Sequence, residues 1–436
     1  MSEQTQHQQD LFVGIDLGTS GCRAIAIDSD AHVIANLSQS WPAPDVKDLE
    51  VTQNPDIWWQ SLLKLLSQLA MTIPTEQVRA ICLDGTSGTV LLADEQGQPL
   101  GPALMYNDAR ASGEAQSLSS VAPAESAVHS ASSGLAKLLW LKSHSDTSKA
   151  HFFLHQLDWM NGQLSGQYGM SDFNNALKTG FDSVQRKWPN WMAELAIPKS
   201  WLPEVVAPGT AIGTLKKEIA AEFGFAESTQ LIAGTTDSTA AFMATGALQP
   251  GEAVTSLGST LVIKILSEQA IFDADSGVYS QPCGDLWLVG GASNSGGKVL
   301  RDHFTDAQMK SMESQLNIEQ PTGLDYYPLP QPGERFPVND PSLSPRLTPR
   351  PDDEVMFFQA MLEGIAQIEL KGYEKLKQLG APWPSSIRTV GGGAKNTRWT
   401  TMRQNMLNVS LLKPENTDAA FGVAKLALSA IVNKQG

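Results

Sequence analysis

Cysteine is scarce: 436 residues hold three, Cys22, Cys82 and Cys283. Their scatter excludes a disulfide framework, and without a CxxC pair a structural zinc site is not expected. Basic residues are also short, with 31 Lys and Arg against 46 Asp and Glu and a net charge of −15. So acidic a surface repels phosphate backbones and anionic lipid, so neither nucleic acid nor a membrane surface is an expected partner. An anion can still be held locally by backbone N–H groups or a metal. No apolar run reaches the roughly 18 residues needed to cross a bilayer. The opening MSEQTQHQQD lacks the basic and apolar regions of a secretory signal. The expectation is a soluble, reduced, cytoplasmic protein. Common catalytic signatures are missing too: no G-x-G-x-x-G after a strand, no HExxH, no G-x-S-x-G elbow. Gly297-Lys298 imitates the end of a P-loop, but Val299 follows it and Ala292 stands where the first Gly belongs. His151 and His155 lie one helical turn apart with no carboxylate pattern nearby, which reads as packing rather than metal binding.

What is present is a chain that can bury a core: 42% of residues are hydrophobic. Its length suits two or three domains, most simply two halves. Leu11 to Asp28 (LFVGIDLGTSGCRAIAID) reads strand, Gly turn, strand, and Ala31 to Leu37 can add a third strand. Asp56 to Leu69 has helical apolar spacing, with Asp56 as N-cap after Pro55. Val78 to Leu83 is a buried strand ending in Asp84-Gly85-Thr86-Ser87-Gly88, and Val90 to Ala93 is extended. Ser112 to Ser148 and Ala211 to Phe223 read as helical. Leu231 to Ala233 is a short strand, and a helix follows over Ser238 to Thr245. Strands and helices alternate, which predicts an α/β fold. Val254 to Leu266 (VTSLGSTLVIKIL) then repeats the plan of the first hairpin, which fits two related halves. The boundary is expected near 246, giving domains 1–245 and 246–436. Nine prolines between Pro321 and Pro351 predict an extended loop. Helix returns over Glu354 to Leu379, ahead of VGGGAK at 390–395.

The chemistry rests on small-residue turns at strand ends: GTSG at 18–21 and 85–88, GTTD at 234–237, GST at 258–260 and GGG at 391–393. Gly lets a ligand approach the backbone, and exposed N–H and hydroxyl groups suit phosphates and sugar hydroxyls. In an α/β fold such ligands sit beyond the C-terminal ends of strands. Two carboxylates stand out. Asp16 either bonds its own turn or holds a hydrated Mg²⁺ beside a phosphate. Asp237 either caps a helix or takes a proton from a substrate hydroxyl. If both share one cleft, the set fits phosphoryl transfer.

The same segments resemble the FGGY carbohydrate kinases of the actin/hexokinase/Hsp70 ATPase superfamily. FVGIDLGTSGCRAIAID is similar to their first phosphate hairpin and SLGST at 256–260 to their second. YNDAR at 106–110 resembles their sugar segment, LLWLK at 138–142 their KLLWLK helix, and AGTTDSTAAF at 233–242 their catalytic segment. PGER at 332–335 with Asp340, MLEGIA at 361–366 and GGGAKN at 391–396 match further signatures. The resemblance implies two ribonuclease-H-like domains around a central cleft, an N-terminal sugar-binding and catalytic domain and a C-terminal nucleotide-binding one. It implies ATP and Mg²⁺, with transfer to a sugar hydroxyl. Carried over, Asp237 is the general base, and Asp16 and Thr19 act at the metal and γ-phosphate, with Asp237 reaching the metal through water. Gly18, Ser20, Gly258, Ser259 and Thr260 hold phosphates. Gly392, Gly393, Asn396 and Trp399 form the adenosine site, and Ser87, Asp108 and Ser238 join Asp237 at the sugar. Gly134 replaces the usual Pro, Ser or Thr before Lys137, Tyr106 replaces Trp, and the strand-end motif is DGTSG. These departures point to a short subgroup acting on D-ribulose, giving D-ribulose 5-phosphate. D-xylulose and L-ribulose kinases are the alternatives, and a nucleotide-binding sensor module is a rival of another class. The chain is expected to be a monomer or homodimer, with Trp41, Trp188 and Trp191 as interface candidates.

Overall fold

The computed structural model describes residues 9–432. Those up to 244 and those from 416 onward form one unit, and 245–415 form the other. The first unit begins with the expected hairpin. β1 (Leu11–Leu17) pairs antiparallel with β2 (Gly21–Ile27), and β3 (Val33–Ser40) continues the run. β4 (Asp45–Lys47) and β5 (Glu50–Gln53) open a second sheet. α1 (Pro55–Thr72) buries Leu62, Leu65, Leu66 and Leu69, a stripe at helical spacing, against β2 and β3. Its cap is Asn54, not Asp56: the Asn54 side chain accepts the Asp56 N–H, and Pro55, which has no N–H to satisfy, fills the first turn.

β6 (Val78–Gly85) runs parallel to β1. β7 (Val90–Ala93) and β8 (Ala103–Leu104) extend the second sheet. The helix expected over 112–148 resolves into α2 (Ser112–Leu118) and α3 (Gly134–His144), separated by turns because the Ser- and Ala-rich stretch between offers no continuous apolar face. β9 (Phe152–His155) leads into α4 (Gln156–Ser165). β10 (Met170–Asp172) precedes α5 (Phe173–Leu177) and pairs with β11 (Glu204–Val206). The expected helix 211–223 is half strand. β12 (Ala211–Thr214) pairs antiparallel with β13 (Gln230–Thr236), and only α6 (Lys217–Phe223) is helical. Gly213, at φ 138°, adopts a conformation that no helix contains. α7 (Asp237–Ala244) starts directly after β13. The main sheet runs β12-β13-β6-β1-β2-β3, with β13, β6 and β1 parallel at its centre.

The second unit repeats the plan. β14 (Glu252–Leu257) and β15 (Leu261–Ser267) form the second hairpin, and β16 (Tyr279–Cys283) and β17 (Leu286–Ser293) widen the sheet. Two short helices follow, α8 (Gly297–Arg301) and α9 (Asp306–Glu313). The proline-rich segment is irregular, as expected. Glu334 pins it from within: 2% exposed, its carboxylate accepts from the Ser293 and Tyr327 hydroxyls and the Asn294 N–H. α10 (Glu354–Gln378) is the central helix, β18 (Ser386–Val390) lies parallel to β14, and α11 (Thr397–Leu407) and β19 (Leu411–Leu412) close the unit. The chain then returns to the first unit as α12 (Ala419–Val432), so the expected second domain, 246–436, gives up its last helix. α12 lies against bare backbone. A Cβ on Gly14 of β1 would stand 1.9 Å from the Ala420 carbonyl oxygen, and one on Gly422 would stand 2.0 Å from that of Ala240 in α7.

Candidate active site

In the first unit, three parallel strands end level with one another. Asp16 on β1 stands opposite Asp84 on β6, and Asp84 opposite Thr235 on β13, one residue before Thr236 and two before Asp237. Asp16, Cys82-flanked Asp84 and the start of α7 thus share one sheet edge. α12 reaches the same edge through Asp418, whose carboxylate accepts the Ala420 N–H and the Arg23 guanidinium at 2.7 Å. Asp16, Gly18, Thr19, Thr86, Asp237, Ser238 and Asp418 line one pocket of about 370 Å³, with Arg23 at its side. The Asp237 carboxylate also accepts the N–H of Ser238 at 2.6 Å. The turn between β1 and β2 is fixed by Gly18 N–H to the Gly21 carbonyl and by Trp41, which donates from its indole to the Thr19 carbonyl and from its backbone to the Ser20 carbonyl. Trp41 is therefore a buried brace, not an interface residue. Trp188 and Trp191 likewise pack against the interior. The Ser20 side chain is exposed and does not line the pocket.

The electrostatics of this edge are unusual. Burial raises the Asp16 pKa, and the Asp418 carboxylate adds to the rise while Asp84 and Arg23 oppose it. Asp84 is pushed well above the usual carboxylate range, first by complete burial and then by Asp16, Asp237 and Asp418. Among the described residues no N–H or hydroxyl reaches either oxygen of Asp84, which faces the Asp16 carboxyl. An all-oxygen donor set with an orphaned buried carboxyl fits a hard divalent cation such as Mg²⁺. Asp84 was not singled out in the sequence, although its place just before a Gly turn, as at Asp16, was the available signal. Thr86 lies within the GTSG turn at 85–88 already marked in the sequence, whereas Arg23 and Asp418 carried no such signal.

Beside this pocket lies a buried polar layer. The Gln156 side-chain oxygen accepts both the Thr86 N–H and its hydroxyl, and the Thr86 hydroxyl meets that of Thr89 at 2.6 Å. Lys137, fully buried, donates to the carbonyls of Gly88 and Met105, and burial draws its pKa down to about 7. Ser87 is held between these anchors, its Oγ buried and unpartnered. Asp108 differs from the sugar role expected of it. It is 0% exposed, and its oxygens are taken by the Val51 N–H and a bidentate Arg110, so it shapes the segment instead. Asn174 donates to Thr235, and Asp172 accepts from Asn175. His155 is buried, with Nε2 at 2.9 Å from the Thr179 hydroxyl and a pKa lowered to about 3 by burial, which fits packing and not metal binding.

The second unit has its own pocket, of about 670 Å³. Gly258 and Ser259 from the hairpin, Gly392, Gly393, Asn396 and Trp399 from the GGG turn and α11, and an apolar wall of Leu300, Met309, Phe358 and Leu362 line it. Thr260 stands just outside this lining. The GGG turn needs its outer glycines: Gly391 sits at φ 87°, and a Cβ on Gly393 would lie 2.7 Å from both the Leu257 side chain and the Trp399 ring. Asn396, which lines the pocket, uses its side-chain oxygen to cap α11 by accepting the Trp399 N–H. Arg301, unanticipated from the sequence, donates to the Ser259 hydroxyl and brings positive charge to the hairpin. An apolar slot ending in a Gly hairpin and a cation suits a base at one end and phosphates at the other.

An α/β sheet that repeats its hairpin in two units, one with a carboxylate-lined pocket and one with a slot for a nucleotide, defines the class of sugar-kinase-like phosphotransferases. Comparison with known proteins makes this specific. Residues 11–244 match the N-terminal domain, and 253–431 the C-terminal domain, of the FGGY family of carbohydrate kinases, and the chain belongs to that family. It is 27% identical over 439 residues to a xylulose kinase of Bacillus subtilis strain 168, covering 95% of this chain and 87% of that protein. It is 23% identical to a gluconokinase of the same organism, covering 96% and 87%. Among solved structures, a "xyloylose kinase" from Brucella ovis superposes with a TM-score of 0.87 at 25% identity, over 97% of this chain and 91% of that one.

Proposed function

We propose that this carbohydrate kinase transfers the γ-phosphoryl of ATP to a ketopentose, with D-ribulose as the preferred acceptor and D-ribulose 5-phosphate as product. The observation that carries the reading is the meeting of Asp16, Thr19 and Asp237, residues about 220 positions apart in sequence, in one pocket at the end of three parallel strands. Asp237 accepts the proton of the sugar's primary hydroxyl as that oxygen attacks phosphorus. The new bond joins sugar oxygen to the γ-phosphorus, the bond to the β-phosphate oxygen breaks, and ADP leaves with that electron pair. Asp16, with Asp237 through water, would hold Mg²⁺, which when bound offsets charge on the β- and γ-phosphates. Thr19 and the Gly18 turn donate to the incoming phosphoryl group, and Ser87 and Ser238 are the sugar's hydroxyl partners. In the other unit, Gly258 and Ser259 take the remaining phosphates while the wall with Trp399 receives the base.

Asp237→Ala should lower turnover by roughly 10²–10⁴ with the chain still folded, the usual worth of a general base. Wild-type turnover in that variant would sink the assignment. A coupled ADP-release assay over D-ribulose, D-xylulose, L-ribulose and polyols tests the acceptor. The relatives named xylulose kinase favour D-xylulose as the second reading, and a higher kcat/KM on it than on D-ribulose would transfer the assignment. Epimers should separate strongly, because a site built around one hydroxyl leaves a buried group unpaired with the other.

A further inference from the structure

Asp84 has no part in the reading just given, yet its surroundings call for one. It is 0% exposed, and among the described residues no N–H or hydroxyl reaches either oxygen, its one polar neighbour being another carboxyl, that of Asp16. In register with Asp16 on the neighbouring parallel strand, it presents its carboxyl from the same face of the sheet. Burying a carboxylate without a partner is costly, and doing so beside other carboxylates is costlier. The cation close by cannot compensate, since the Arg23 guanidinium bonds to Asp418. The backbone around Asp84 gives no relief, as its N–H groups serve the sheet ladder on both sides. A second carboxyl beside Asp16 adds nothing that the empty fold needs. The group is explained by a ligand that arrives with more than one positive charge and prefers oxygen.

We propose that Asp84 is a member of the divalent-cation site: its carboxyl and that of Asp16 act as a pair on the ion, Asp16 from the pocket and Asp84 from the buried side. This rests on the phosphoryl-transfer reading but is measured without it. Asp84 does not line the pocket, so it is a positioning residue that sets the charge and orientation met by the ion. A competing cluster exists. Among the described residues, Asp28, Asp30 and His32 bring three ligand atoms within 4.8 Å of one another. There, however, the Asp28 carboxylate is already satisfied by the Gln9 amide, the Asp30 and His32 N–H groups and the His32 ring.

The test is Mn²⁺ binding to the full chain, followed by electron paramagnetic resonance, with neither nucleotide nor sugar present. The wild type should bind one ion, Asp84→Asn should weaken it about 10–100-fold, the range for groups that support a metal's ligands, and Asp28→Asn should leave it unchanged. In EDTA, Asp84→Asn should melt no lower than wild type, because the amide is neutral and nearly isosteric with the carboxyl it replaces. A folded Asp84→Asn with wild-type Mn²⁺ affinity would overturn the proposal, as would a wild type that takes up no Mn²⁺. A purely structural Asp84 would give the reverse pattern: a lower melting temperature and unchanged Mn²⁺ affinity. Asp84→Ser serves as a second variant. The unmodified chain gives an independent measurement, since bound Fe²⁺ with ascorbate and peroxide should cut the backbone near 16, 84 and 237. Cuts confined to 28–32 would refute the site. Sugar turnover is not read in any arm, so failure here leaves the acceptor assay standing.

Discussion

Asp172, on the two-stranded sheet of β10 and β11, shows how a single buried side chain ties stability to pH. It caps α5, bonds Asn175, and has its pKa raised to about 6 by burial. An acid whose folded pKa exceeds its unfolded one binds more protons folded, so it favours the native state at low pH and withdraws that support as pH climbs from about 4 to about 6. Asp172→Asn keeps a good cap and should therefore gain on wild type as pH rises, by on the order of 2 kcal/mol between pH 4 and 7. Urea titrations at the two pH values measure it, and an unchanged or reversed difference would show that the charge is compensated. The residues visible in the sequence were those next to glycine: Asp16 before Gly18 and Asp237 after Gly234. Asp84 stands directly before Gly85 in the same way, and only its complete burial beside Asp16 sets it apart, which the sequence does not show. Asp418 and Arg23 matter only because α12 and β2 fold back to β1, and no local pattern encodes that return.

At the level of elements, regular hairpins and the long helices were legible because their apolar periods are unbroken. Edge pieces such as β12 were not, since pairing with β13 and a glycine at positive φ decided them against local helical composition. The second unit is held by a buried knot that also escaped notice. Arg403 of α11 makes a bidentate pair with Glu369 of α10 at 2.6 Å, both 0% exposed. Glu369 accepts the Thr255 hydroxyl on β14, and Arg403 reaches Thr389 on β18. The knot therefore joins the two strands whose ends carry the Gly258 hairpin and the GGG turn. Arg403→Met would strand the Glu369 charge and should cost about 3–5 kcal/mol, read by chemical denaturation, and should raise KM for ATP more than KM for sugar. A loss under 1 kcal/mol would mean that the carboxyl is relieved elsewhere.

Across the whole molecule, each unit has its own apolar core, but only the second is a continuous stretch of chain. The first depends on α12, whose Ala419 to Ala424 and Ala427 are buried over β1 and α7. Ending the chain at residue 415 should leave the first unit without defined packing, seen as lost near-ultraviolet dichroism from Trp58 and Trp159, which are wholly buried there. Retention of the native spectrum would show that the helix is dispensable. The acidic balance falls mostly on the first unit, with 27 acidic and 16 basic residues against 19 and 15 in the second, and says little about either pocket.

The return of α12 also bears on how the protein comes into being. A ribosome adding about 5–20 residues per second exposes β1 roughly 20–80 s before the helix that covers it has been made. During that interval the face around Gly14 is bare, and Asp418 has yet to arrive. Completion of the pocket that Asp16 and Asp418 share is therefore a late event of synthesis, after the second unit has been made, and a stalled or clipped nascent chain carries an open sheet face for chaperones to shield.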